Sequence, residues 1–345
     1  MPTPKEIVAD PNWFLSNIDL DQSRLLFTRT DSTSLSEASF LDARFIPQGA
    51  EQIVLTLNDA LQNVDLSSTQ PAKYIFHTAF CCSTLLARCL DLPGHSIALK
   101  EPEVLMTLAN FKRMGHRALA DNKDRAEIFG LVSHLLLRPF AQGEEIIVKP
   151  SNTVNNIIVD LLTANDQSSA ILLHSDLKSF LISLLKKGEE GRAFARNLFN
   201  IFSLDSPEVQ KLAHNQLMRM TDLQIAALSW HLQFEHYQDS AQLFDACRLK
   251  SLHCDRLIAQ PDEILKKVIG HLGLTALQDN FTELMVHAPF GSNSKTPEKK
   301  FTGQDRKDEH RRTEELNKSS LDVIIPWAEQ MHFKYKSVSE VGTQL

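Results

Sequence analysis

The stretch Lys73–Pro102, KYIFHTAFCCSTLLARCLDLPGHSIALKEP, constrains this chain more than any other. Tyr74-Ile75-Phe76 is short, apolar and β-prone, the pattern of a strand buried on both faces. A polar turn follows from His77 to Thr84, then Leu85–Leu90 reads as a helix. Ser96–Leu99 reads as a second strand, ending at Lys100-Glu101-Pro102. Strand, tight loop, helix and strand make the βαβ unit of a parallel sheet, which places the chain in the α/β class.

The loop has a chemical consequence. Ser83-Thr84 at the entrance to a helix offers two hydroxyls beside unpaired backbone N–H groups, at the positive end of the helix dipole. That combination suits an anion, phosphate above all. Ser or Thr before an apolar helical run is equally an ordinary N-cap, so both readings stand on these residues alone. The Gly-Lys-Ser/Thr that cradles a nucleoside triphosphate is missing, which disfavours an ATP-dependent kinase. Adjacent Cys81-Cys82 read as small, half-buried residues that let the backbone approach closely; a low-pKa thiol at the helix start is the alternative.

A chain of 345 residues with 43% hydrophobic content can bury a substantial α/β core. Its net charge of −7 leaves no general basic face, so nucleic acid is not an expected partner. No apolar run approaches the ~20 residues needed to span a bilayer, and the N-terminus lacks a basic segment followed by an apolar one. Neither a membrane nor a signal peptide is expected. Cys81, Cys82, Cys89, Cys247 and Cys254 are odd in number and follow no metal-ligand spacing, which fits reduced thiols in a cytoplasmic protein without a metal.

In chain order, residues 1–70 read as a small N-terminal cap. Leu25–Thr28 is expected as a strand, Ala38–Ile46 as an extended piece and Glu51–Leu61 as a helix. Ser67–Pro71 breaks the pattern and marks a boundary. Glu103–Arg113 and Arg125–Phe140 read as helices, and Glu145–Val148 as a strand ending at Lys149-Pro150-Ser151-Asn152. Ligands of open parallel sheets sit at the carboxyl ends of strands, so Lys100 and Lys149 are candidates to face the same crevice as Ser83-Thr84. Asn155–Leu162 is a helix, Ala170–Leu173 a strand ending in His174-Ser175-Asp176, and Leu177–Lys187 a helix carrying Ser183. Residues 188–220 read as a helical insertion over the crevice. Leu223–Phe244 is a long buried helix, Arg248–Leu252 a last strand, and Pro261–Leu272 a helix stopped by Gly273. Ser292–Lys307 reads as a loop, with amphipathic helix to about Met331 and a frayed end from 336.

Two stretches carry a resemblance. LHCDRLIAQPDEILKKVIGHLGL, Leu252–Leu274, resembles the Tyr-Glu-Asp-Leu…Asp-Pro…Leu…Phe-Leu-Gly-Leu segment of the sulfotransferase family, in its bacterial and Golgi-type branches. Asp255, Leu257, Pro261, Leu265 and Leu272-Gly273-Leu274 fall in register, with His253 and Cys254 where Tyr and Glu are usual. The loop Ala79–Leu86 is similar to the family's phosphosulfate loop, Pro-Lys-Ser-Gly-Thr-Thr-Trp-Leu, with Phe80 at the basic position and Cys82 at the glycine. The family's Arg and, eight residues on, Ser for the 3′-phosphate correspond here to Ser175 and Ser183, with His174 adjacent.

This resemblance implies a three-layer P-loop fold over residues 71–335 with a central, mainly parallel sheet. It implies transfer of a sulfuryl group from 3′-phosphoadenosine-5′-phosphosulfate to a hydroxyl or amine, with that nucleotide and an unidentified acceptor as partners. Phe80, Cys81, Cys82, Ser83, Thr84, His174 and Ser183 are then the candidate donor-binding residues, and Lys295 and Arg306 are candidates to close over the 3′-phosphate. Glu101 is the candidate base, His77 the second choice, and Lys100 and Lys149 are candidates for the cation absent at Phe80. Two alternatives stay open: a nucleotide-binding or interaction protein on the same fold without transfer activity, and a P-loop phosphotransferase.

Overall fold

The computed structural model describes residues 2–46, 49–212, 214–290, 303–331 and 343–345. Strands β1 (Trp13–Asp19), β2 (Arg24–Arg29) and β3 (Gln52–Thr56) form an antiparallel sheet. Strands β4 (Lys73–His77), β5 (Ser96–Lys100), β6 (Glu145–Lys149), β7 (Ser169–His174) and β8 (Leu249–His253) form the central sheet. Its order is β5-β6-β4-β7-β8 and every pairing is parallel. The α/β class is thus as expected, with helices on both faces.

Alternation along the strands divides the core. Tyr74, Phe76, Ala170 and Leu172 point into one apolar cluster, while Ile75, Ile171 and Leu173 point into another across the sheet. The helices Ser83–Cys89 and Pro261–Leu272 cover the second face; Glu103–Arg113, Asn122–Leu136, Leu177–Leu185 and Asp222–Leu243 cover the first. Burial on both sides explains why these strands are continuous apolar runs, each fully buried Leu, Ile or Phe contributing about 1.5–3 kcal/mol. Gly273, at φ +64°, ends the helix Pro261–Leu272 where a side chain would be strained.

The N-terminal sheet shares the first core: Trp13, Leu15, Leu25 and Phe27 belong to the same cluster as Tyr74 and Phe76. Arg138 stitches this region down, its guanidinium donating to the carbonyls of Ile7 (3.0 Å), Val8 (3.1 Å) and Asp10 (2.9 Å). Burial pushes that guanidinium down to about 10.

Several elements differ from expectation. Glu51–Leu61 is not one helix but β3 followed by the helix Leu57–Asn63. Ile53 pairs with Phe27 and Leu55 with Leu25, so the apolar residues here follow the two-residue period of a strand rather than a helical one. Ala38–Ile46 is turn and coil, pinned where the Leu41 amide donates to Lys100 O (2.7 Å) and Leu41 O accepts from the Glu103 amide (3.0 Å). Within the expected loop Ser292–Lys307, the helix Gly303–Gln330 has already begun at Gly303. At the end expected to fray, Thr343 O accepts from the Ser251 amide and the Leu345 amide donates to Ser251 O, both at 3.0 Å along β8.

No helix among the described residues is long and apolar enough to cross a membrane.

Candidate active site

Chain order reverses at β4: its neighbours β6 and β7 lead to opposite halves of the sheet. In such sheets the strand ends diverge there and leave a crevice at their carboxyl edge. A cavity of about 410 Å³ opens at that point. Its floor is His77, Ser83, Thr84, Glu101, Ser151 and Asn152; Phe80, Met106, Phe194 and Leu198 give apolar walls, and Phe40 and Arg44 reach it from the N-terminal region.

Glu101 leaves β5 at φ +58°, a left-handed conformation that costs a residue with a side chain. Its amide donates to Lys149 O (2.7 Å), and its Oε1 accepts from Lys149 Nζ (2.5 Å). Phe80 (φ +59°) and Cys82 (φ +63°) carry the same strain in the loop. Of the four described non-glycine residues with positive φ, Phe80 and Glu101 therefore line the cavity, and Cys82 directly precedes its lining residue Ser83. Such strain persists only where the surroundings hold it, and it gathers at functional sites.

Ser83 and Thr84 are nearly buried, yet among the described residues their hydroxyls have no hydrogen-bond partner; both line the cavity. Each His77 ring nitrogen lies 2.9 Å from a carbonyl oxygen, Nδ1 from Thr78 and Nε2 from Pro150. The ring bridges the ends of β4 and β6, with both nitrogens turned to backbone carbonyls. Cys81 Sγ donates to Thr78 O (2.8 Å), and burial pushes the thiol up to about 12. The Cys81 thiol is thus packed in the core.

Other candidates lie elsewhere. Lys100 does not join the cavity: Nζ donates to Asp91 (3.0 Å), Ser36 O (2.8 Å) and Ala98 O (2.9 Å). Desolvation pushes the Lys100 ammonium down and the Asp91 carboxyl up from their ordinary values, against their mutual attraction. Phe80, at the position resembling a basic one, packs its ring 5.4 Å from Phe194 and 6.0 Å from Phe180, centroid to centroid. Ser183 Oγ donates to Ser179 O (2.9 Å) within its own helix, not toward the cavity. His174 is buried beneath Phe234 and His253, and among the described residues neither nitrogen has a hydrogen-bond partner. Burial, reinforced by His253, holds it down to about 3, so it is neutral. Lys295 lies outside the described residues; Arg306 falls in the first turn of the helix Gly303–Gln330, its side chain likewise outside them.

Sequence reading missed Arg44. It forks onto Asp42 (Nε to Oδ1 2.9 Å and to Oδ2 3.0 Å) and lies 4.3 Å above the Phe40 ring. Asp42, and more weakly Glu101, favour its charged form. Phe194, Asn197 and Ile201 of the helix Gly188–Phe202 also line the cavity. His253, Cys254 and Asp255 bring metal-ligand atoms within 4.8 Å of one another. His253 Nδ1 there accepts from the Asp255 amide (3.3 Å) and Cys254 is packed in the core, the arrangement of a helix start.

No family profile matches this chain, and no curated protein matches it. Among solved structures it is similar to the sulfotransferase domain from the curacin biosynthetic pathway, at 14% identity over 60% of this chain and 75% of that one, TM-score 0.37. It is also similar to a sulfotransferase from Mycobacterium avium, at 10% identity over 80% of each chain, TM-score 0.40. A third, a sulfotransferase from Mycobacterium tuberculosis H37Rv, shares 12% identity over 72% of this chain and 76% of that one, TM-score 0.38.

Proposed function

We propose that this chain transfers a sulfuryl group from 3′-phosphoadenosine-5′-phosphosulfate to a hydroxyl or amine. The observation that carries the reading is the Glu101 carboxylate, strained into a cavity that also holds two unpartnered loop hydroxyls. Such a reaction needs three things: a place for the anionic leaving group, a base for the acceptor, and a wall that excludes water. Ser83 and Thr84 donate hydrogen bonds to the phosphate oxygens. Glu101 takes the acceptor's proton as its oxygen or nitrogen attacks sulfur. The sulfur–oxygen bond to phosphate breaks, and its electron pair passes to the phosphate oxygen. Lys149 holds Glu101 in position, and Phe80, Phe194 and Met106 form the dry side. The resemblance of Ala79–Leu86 and Leu252–Leu274 to sulfotransferase segments supports the choice of sulfuryl over phosphoryl transfer.

A second reading is favoured by one fact: the cavity's Arg44, and the Lys149 beside it, are each matched to a carboxylate. A protein on this fold that binds the nucleotide without transfer would look the same. Calorimetric titration with 3′-phosphoadenosine-5′-phosphate, with ATP as control, tests what both readings share. Tight binding of the bisphosphate alone is the expected result; binding of neither nucleotide overturns the proposal.

A further inference from the structure

The breaking sulfur–oxygen bond puts negative charge on the leaving phosphate oxygen, and a cation there would stabilise it. The loop has none, since Phe80 is aromatic. The neighbouring cations are committed: Lys149 to Glu101, Lys100 to Asp91 and Arg44 to Asp42. On the helix Leu177–Leu185 and just past it, Lys178 and Lys186 are held by Glu314 and Glu309 of the C-terminal helix.

Lys187 differs from all of these. It is exposed, no carboxylate among the described residues holds it, and its ammonium lies 6.0 Å from the centroid of the Phe80 ring. It sits at the junction between the helix Leu177–Leu185 and the insertion helix Gly188–Phe202. Phe180 and Phe194 pack against the Phe80 ring, so the lysine rests on a fixed platform.

We propose that Lys187 supplies the loop's missing cation, donating a hydrogen bond to the phosphate oxygen that receives the electron pair of the breaking bond. The inference rests on the sulfuryl-transfer reading. A cation–π contact at an exposed site is weak, and a charge-assisted hydrogen bond to phosphate is stronger, so the ammonium leaves the ring when the anion arrives. The long lysine stem allows that swing. Phe80 then does not abolish the charge of the site; it holds a charge delivered from another element.

An exchange experiment tests this. Calorimetric titration with 3′-phosphoadenosine-5′-phosphate would compare the natural chain with Lys187→Met, Lys187→Arg and the pair Lys187→Met with Phe80→Lys. Lys187→Met is expected to weaken binding about tenfold or more without lowering the melting temperature. Lys187→Arg retains most of the affinity, and returning the lysine to position 80 restores it to within about threefold. Binding by Lys187→Met as tight as that of the natural chain overturns this inference alone, as does equal loss in Lys187→Met and Lys187→Arg. Absence of binding by the natural chain overturns the function on which it rests. If Phe80→Lys fails to fold, the Met and Arg variants still decide.

Discussion

Lys100 and Lys149 stand in register on β5 and β6, and each is held by one carboxylate. Around Lys100 everything is closed. Its side chain is 0% exposed and that of Asp91 7%, and two carbonyls complete the ammonium's hydrogen bonds. Lys149 is as deeply buried, but its partner Glu101 is 20% exposed, strained at φ +58° and turned into the cavity. Two ion pairs of the same composition, on adjacent strand ends, thus divide into one sealed and one open. The sealed pair has no route to a ligand, and its role is to join the N-terminal region to the sheet through Ser36. The open pair keeps a carboxylate at the wall of the cavity.

The comparison is broken most severely by removing one partner of the sealed pair. Lys100→Met leaves Asp91 buried without its cation and is expected to cost about 3–5 kcal/mol in urea unfolding. Transfer per folded molecule should stay unchanged. A comparable loss of activity in the folded fraction would mean that the sealed pair also serves the site.

A third strand end sharpens the contrast, because His174 at the end of β7 is buried and, among the described residues, neither ring nitrogen has a hydrogen-bond partner. Its folded pKa, about 3, is depressed below that of an unfolded histidine, so its share of stability is present above about pH 6.5. That share is lost as pH falls toward 3, with a slope of up to about 1.4 kcal/mol per pH unit. His174→Phe should flatten this acid limb while leaving stability at pH 8 near its starting value. An unchanged acid limb in thermal melts from pH 7 to pH 4 would show that His174 is not the group responsible.

The smallest effect concerns the strained loop. Cys82 occupies a left-handed conformation in which glycine is at ease. Cys82→Gly is expected to raise stability by at most about 1 kcal/mol, read as a small rise in melting temperature. A clear drop would mean that the thiol's packing outweighs its backbone strain.

Much of this was legible in the sequence where burial alone shapes the pattern. Tyr74–Phe76, Glu145–Val148 and Ala170–Leu173 are β-prone runs between polar breaks, and each is a strand of the central sheet. The N-terminal sheet was harder. Trp13–Asp19 passed unnoticed, and β3 buries only Leu55 fully, so its alternation is faint and runs into a helix without a break. Glu101 and Lys149 could be named because both end strands. Arg44 and Lys187 could not, because one reaches the cavity from turn and coil and the other meets Phe80 across more than a hundred residues. Lys100 was misplaced for a related reason: strand-end position brings a residue near the crevice, but Asp91, supplied by another segment, takes the side chain away.

The most direct test of the central claim sets the two carboxylates side by side. The natural chain, Glu101→Gln and Asp91→Asn would each be given 35S-labelled 3′-phosphoadenosine-5′-phosphosulfate and a pool of small alcohols and amines, with label transfer measured per folded molecule. Transfer by the natural chain, a fall of about 10²–10⁴-fold in Glu101→Gln, and little change in Asp91→Asn are expected. Equal transfer by Glu101→Gln and the natural chain would contradict the central claim.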